Sequence, residues 1–159
     1  MESESPGAET EVQGLPVYVG EYVHSMDPKK RLTIPAVWRV QVGKPNSFYV
    51  LPDFHVKCLN LYPAAEMTHK LEKLRRHSMG DPKAMEFARI LGGASDLVSW
   101  DQQGRIRIKD KLLEFANLDE QVVMIGALNK IQLWSPANRP DAGQINQTSL
   151  AEAGRYVDF

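Results

Sequence analysis

The chain repeats itself, and no other feature constrains its fold so tightly. Shifted by 74 residues, HSMDPKKRLTIP from His24 lies over VSWDQQGRIRIK from Val98: Asp27 meets Asp101, Arg31 meets Arg105, Leu32 meets Ile106 and Ile34 meets Ile108. At the same shift Trp38 meets Leu112, and FYVL from Phe48 meets VVMI from Val122. With two residues of loop difference, Leu59-Asn60-Leu61-Tyr62 meets Ile131-Gln132-Leu133-Trp134. Self-similarity at a fixed offset marks one structural unit used twice, here about 45 residues long with an insert between the copies.

Each copy reads mostly as strand. VYVGEYVHSM alternates and is rich in β-formers, Asp27-Pro28 opens a turn, and Arg31-Leu32-Thr33-Ile34 is a short strand ended by Pro35. Pro35 suits the first turn of a short helix carrying Val37, Trp38 and Val40, and Gly43 and Pro45 break it. Residues 48–51 and 57–62 then read as a hairpin pair, and the second copy repeats the order to Trp134. The insert differs in kind. Met67, Leu71 and Leu74 follow Pro63 at helical spacing, and Asp81-Pro82 reads as N-cap plus first residue of a second helix bearing Phe87, Ile90 and Leu91, which Gly92-Gly93 ends. The expected class is α+β, mostly β: an acidic tail 1–17, a first unit 18–62, a helical insert 63–94, a second unit 95–138 and an aperiodic tail 139–159.

Charge is distributed unevenly, although the total is only −1. Residues 1–22 carry five glutamates and no Lys or Arg, whereas 23–45 carry Lys29, Lys30, Arg31, Arg39 and Lys44 against Asp27 alone. A second basic cluster sets Arg105, Arg107, Lys109 and Lys111 against Asp101 and Asp110. Both clusters coincide with the repeat, so any phosphate neutralisation falls there. No apolar run approaches the roughly 20 residues of a membrane-spanning helix, the start has no signal-peptide pattern, and Cys58 is the one cysteine. The expectation is a cytoplasmic protein with no membrane partner.

The Asp-x-x-x-Arg pattern has a physical logic. Asp at the start of a tight turn accepts from backbone N–H groups beyond it, Pro28 pre-sets the next φ, and the Arg four residues on returns close enough to pair with the carboxylate. A single such motif is a solvated turn with a weak surface ion pair. Two copies, each followed by alternating Leu or Ile and basic neighbours, point instead to arginines held on exposed hairpins, suited to guanine edges and phosphates.

At these residues the chain resembles the MraZ family. The resemblance rests on GEYVHSMDPKKRLTIPAVWR, LNLYPAAEM, SWDQQGRIRI and VVMIGALNKIQLW in that order, and covers roughly residues 18–138. It implies tandem swapped-hairpin, AbrB-like units forming a small barrel-like core, and a cytoplasmic, nucleoid-associated ring homo-oligomer larger than a dimer. It also implies sequence-specific binding of double-stranded DNA with repeated short boxes, controlling a division and cell-wall gene cluster that includes the protein's own gene. By the same resemblance Lys29, Lys30, Arg31, Gln102, Gln103, Arg105 and Arg107 lie at or near the DNA, while Asp27, Asp101 and Gly104 structure the loops. Three positions depart from the family: Lys30 where Gly is usual before the Arg, Lys109 where a Pro usually follows the second strand, and Leu113 where an Arg like Arg39 is typical. The first copy is therefore expected to be the stronger DNA contact.

Other constellations carry less. His24, His55, His69 and His77 lack HxxH or HExxH spacing, so no metal site is expected. Cys58 with His55 could be a nucleophile and base, but a strand-borne Cys is more often a small buried filler. No phosphate loop surrounds Gly92-Gly93 or Gly104. Trp38, Trp100 and Trp134 sit beside apolar positions and suit core or subunit contacts. No catalytic group and no cofactor is expected, so an enzyme is the least supported class. A ring or interaction module without DNA binding, and an AbrB-like antitoxin, stand as rival functions, and the helical insert is the natural partner surface.

Overall fold

A computed structural model describes residues 15–77 and 80–159, so residues 1–14 of the acidic tail lie outside the described residues. The first copy forms β1 (Glu21–Ser25), β2 (Arg31–Thr33), helix α1 (Ala36–Val42), β3 (Ser47–Pro52) and β4 (Leu59–Tyr62). Helices α2 (Ala64–Arg75) and α3 (Pro82–Ala94) follow, then β5 (Asp96–Ser99), β6 (Arg105–Arg107), helix α4 (Asp110–Phe115), β7 (Gln121–Gly126) and β8 (Ile131–Trp134). Six strands make one antiparallel sheet in the order β1-β7-β8-β4-β3-β5, and β2 pairs with β6 in a separate two-stranded ribbon.

That order reads the same from either edge when β1–β4 are exchanged for β5–β8. Registers follow suit: Leu32 stands opposite Ile106, Asn60 opposite Gln132, and the pairs His24–Val122 and Phe48–Val98 are equivalent. Each edge strand, β1 or β5, runs through a tight turn into one strand of the ribbon, so the ribbon links the two edges.

Alternation buries one face of the ribbon. Leu32, Ile34, Ile106 and Ile108 pack with Phe48, Val50, Leu59, Leu61, Val122, Met124, Ile131 and Leu133 in the main core. Removing a large side chain from such a core costs about 2–5 kcal/mol. Trp38 is fully buried, meets the rings of Tyr18 and Tyr22 edge-on, and donates its indole N–H to the Val19 carbonyl at 3.0 Å. Trp100 packs on Phe48, while Cys58, Val123 and Trp134 form a second, smaller cluster.

The insert's two helices pack beside β3 and β4, and neither contributes a fully buried residue. Asp81 caps α3, accepting from the Lys83 N–H at 3.1 Å, with Pro82 in the first turn. Two expectations need correcting. Gly92-Gly93 do not end α3, which runs on to Ala94, where Ser95 closes it by donating its hydroxyl to the Leu91 carbonyl. The segment 139–159 is not without regular structure: Pro140–Gly143 form a 3-10 turn and Gln147–Tyr156 form helix α5. Asn146 accepts from the Ser149 N–H at 3.0 Å as N-cap, ahead of residues that favour helix, a local signal that a reading by composition overlooked.

Candidate nucleic-acid interface

The two turns are built by the same hydrogen bonds. In the first, Asp27 Oδ1 accepts the N–H groups of Lys29 and Arg31 at 2.9 and 2.8 Å, and Arg31 Nε donates to Asp27 Oδ2 at 2.7 Å. The Asp27 N–H reaches the Arg31 carbonyl at 3.0 Å, and the Lys30 N–H the Asp27 carbonyl at 2.8 Å. In the second, Asp101 Oδ1 accepts from Gln103 and Arg105 at 2.9 Å each, and Arg105 Nε donates to Asp101 Oδ2 at 2.9 Å. The Asp101 N–H bonds the Arg105 carbonyl at 3.0 Å and the Gly104 N–H the Asp101 carbonyl at 2.9 Å.

Each carboxylate is thus held ionised. Backbone donation from Arg31 lowers the pKa of Asp27 below its ordinary value, and donation from Arg105 brings that of Asp101 down to about 2. The residue before each arginine has positive φ, 61° at Lys30 and 83° at Gly104.

The ribbon aligns the arginines. Leu32 and Ile106 face the core, so Arg31, Thr33, Arg105 and Arg107 share the outer face, with Arg31 opposite Arg107 and Thr33 opposite Arg105. Like charges directly opposite are destabilising. Carboxylates offset them here: Arg31 pairs with Asp27, Arg105 with Asp101, and Arg107 with Asp110 at 3.0 Å. Arg107 also donates to the Ile108 carbonyl.

The pairing leaves different groups available. Both arginines hydrogen-bond their aspartate through Nε, and a terminal nitrogen of Arg105 also comes to 2.9 Å from Asp101, whereas the approach of Arg31 to Asp27 at 2.7 Å is that of Nε. At the turn tips Pro28, Lys29 and Lys30 match Gln102, Gln103 and Gly104 in the repeat, and all of these except Gly104 are exposed. One tip therefore carries two ammonium groups and the other two amides. A two-stranded ribbon with a basic outer face and donor-rich tips is a shape that the DNA major groove admits.

Two residues outside the predicted set shape this surface. Arg39, on α1, donates Nε to the Ile34 carbonyl at 2.9 Å and lays its guanidinium on Gly104, where an added Cβ would come within 2.5 Å of Cζ. Asp110 pairs with Arg107 and, at 3.4 Å, with Lys30. In sequence Asp110 was visible only as a member of a charge cluster, and Arg39 as a cluster charge and as the Arg typical of the resembling family at that place; nothing local announces either partner.

Cys58 is fully buried and burial pushes its thiol up to about 12, so it is a poor nucleophile, while His55 is exposed. Among the described residues no group of three or more His, Cys, Asp or Glu could hold a metal, and no helix is long and apolar enough to cross a membrane.

Fold and surface together define a class: a small α+β protein, mostly antiparallel sheet, that presents a basic ribbon flanked by two matched turns. A family model described as "MraZ protein, putative antitoxin-like" matches residues 90–152. A transcriptional regulator MraZ of Halothermothrix orenii is 36% identical over 119 residues, 75% of this chain and 81% of that protein. That of Desulfitobacterium hafniense is 31% identical over 141 residues, 89% of this chain and 96% of the relative, and that of Clostridium acetobutylicum 31% over 119 residues, 75% and 82%. The chain belongs to the MraZ family, whose members are named as regulators and not as enzymes.

Proposed function

We propose that this chain is a transcriptional regulator that binds double-stranded DNA sequence-specifically through the β2–β6 ribbon and its two turns. Lys29, Lys30, Arg31, Gln102, Gln103, Arg105 and Arg107 make the contacts, and Asp27, Asp101 and Gly104 hold the turns in shape. The observation that carries this reading is the identity of the two hydrogen-bond networks, which present arginines on one face of one ribbon. The regulatory role itself is supported by the names of the relatives.

Residues 18–62 and 95–138 act as two swapped-hairpin, AbrB-like units around a small barrel-like core, with 63–94 inserted and 1–17 and 139–159 as appendages. The palindromic strand order and the ribbon joining both sheet edges support this division. A near-neutral body with two basic turns neutralises few phosphates, so useful affinity requires many turns linked on one DNA. Hence the chain works as a ring homo-oligomer larger than a dimer, on repeated short boxes upstream of a division and cell-wall gene cluster that includes its own gene, in the cytoplasm at the nucleoid.

Footprinting the purified protein on the DNA upstream of its own gene tests this directly. Protection of regularly spaced short boxes, weakening steeply with salt, is expected. A ring that leaves that DNA unprotected at low salt would overturn the DNA reading in favour of a purely structural assembly.

A further inference from the structure

Among the described residues two apolar surfaces lack a partner, and they lie toward different ends of the sheet. The first is an open groove of about 670 Å³ where α2 and α3 lean over β3 and β4, floored by Leu51, Phe54, Leu71, Phe87 and Leu91. Phe54 and Phe87 meet edge-on at 5.5 Å, and both are substantially exposed. Cations rim it: Lys70, Lys73, Lys83 and Lys130 line the groove, with Lys70 and Lys130 standing 4.7 and 5.7 Å over the Tyr62 ring. Its two acids are engaged internally, Asp53 by the N–H groups of His55 and Val56 and the Asn60 amide, Asp81 as the cap of α3.

The second surface is α5. Leu150, Ala153, Gly154 and Val157 follow one another at helical spacing on one face, yet α5 buries nothing: Leu150 is 67% and Val157 65% exposed. An isolated helix of this length is marginal in water, so packing has to stabilise it. The segment 140–159 carries Asp141, Glu152 and Asp158 against Arg155 alone, opposite in sign to the groove rim.

It does not fill its own groove: none of the residues lining the groove comes from 139–159. Arg139 pairs with both carboxylate oxygens of Glu21 on β1, the sheet edge, and thereby anchors the segment there.

We propose that α5 of one copy docks into the groove between the insert helices and β3–β4 of a second copy. Donor and acceptor surfaces differ, so the contact is head-to-tail: every subunit both gives a helix and receives one, and the chain of contacts ends only by closing into a ring. This deepens the ring assembly proposed above and rests on it.

The test uses two exposed positions, Leu150→Asp on the helix and Phe87→Asp in the groove, with mass read by light scattering and helicity by circular dichroism. Each variant alone should fall from the parent's oligomer to a monomer with unchanged helicity. An equimolar mixture should form heterodimers, because the first retains an intact groove and the second an intact helix. Failure of the mixture to dimerise would overturn the proposal. Variants that keep the parent's mass would overturn it while leaving the ring standing, whereas a monomeric parent would sink both. If removal of residues 1–14 abolishes assembly and Leu150→Asp does not, the groove belongs to the acidic segment and the proposal fails.

Discussion

The two turns share every backbone and carboxylate bond and differ in what lies over them. Above Gly104 rests the guanidinium of Arg39, contributed by the first copy's helix α1. Lys30, the matching residue of the first turn, shares a surface cleft with Leu113 and Asp110 of the second copy's helix α4. Arg39 and Leu113 are themselves equivalent in the repeat. The departures at Lys30 and Leu113 are therefore one exchange: where the neighbouring helix sets a guanidinium on the turn, a side chain beneath would have to push it aside and glycine does not, and where it sets a leucine there is room for a side chain. The hydrogen-bond pattern fixes the arginine, and the roof decides which chemistry the tip displays.

The largest effect is expected from forcing the first turn's residue onto the second. Gly104→Lys adds a Cβ at positive φ, costing roughly 1–2 kcal/mol, and dislodges Arg39 from the Ile34 carbonyl. Denaturant unfolding should show a loss of about 2–3 kcal/mol in all. Adding Arg39→Leu should return at least about 1 kcal/mol as coupling. Strictly additive losses would mean that the roof is irrelevant and the comparison mistaken.

The next contrast concerns recognition. Arg31 approaches Asp27 through Nε at 2.7 Å, while a terminal nitrogen of Arg105 also stands 2.9 Å from Asp101. Arg31→Ala should weaken specific binding by about 1–3 kcal/mol and relax one box position, while Arg105→Ala does less. Lys29→Ala should weaken all sequences alike and flatten the salt slope by about one unit, a change that Gln103→Ala, lacking charge, should not produce. Titrations at several salt concentrations would expose equal losses at Arg31 and Arg105, and with them a symmetric interface.

How much of this was legible in the sequence follows from the range of each interaction. The Asp-x-x-x-Arg turns were readable because all their bonds close within four residues, and the ribbon's buried face was readable because alternation has a period. Exchange of strands was not: β1 pairs with β7 and β5 with β3, and no local pattern tells a strand which copy it will join. Arg39 stood out as a charge and as a family-typical residue but without its role, since its contact with Gly104 joins two copies. Helix α5 was missed because its Asn146 cap was outweighed by the Gly, Gln and Pro around it.

Acid should separate the turns more gently. Both aspartates have pKa values lowered by folding, so the stability they lend is complete above the unfolded pKa and is lost as pH falls through the folded one. For Asp101 that window runs from 3.8 down to about 2. For Asp27 the shift has the same sign, again led by the Arg31 N–H. Carboxyl chemical shifts followed by NMR should give Asp101 a midpoint near 2 and Asp27 one below 3.8. A midpoint at or above 3.8 for either would mean that its network is absent in solution.

Lys30→Gly should have the smallest effect, because two consequences oppose each other. Glycine relieves a side chain held at φ 61°. It also frees the unfolded chain, at a cost of about 0.4–1 kcal/mol, and removes an exposed 3.4 Å contact with Asp110 that is worth little. Unfolding should shift by less than about 1 kcal/mol in either direction. DNA binding should nonetheless weaken across all sequences and lose about one unit of salt slope. That combination is the mirror image of Gly104→Lys, in which stability moves far more, and it follows only if the space over Lys30 is open and the space over Gly104 is filled. A large destabilisation by Lys30→Gly would show instead that the first turn also depends on its roof, through the lysine stem packed beside Leu113.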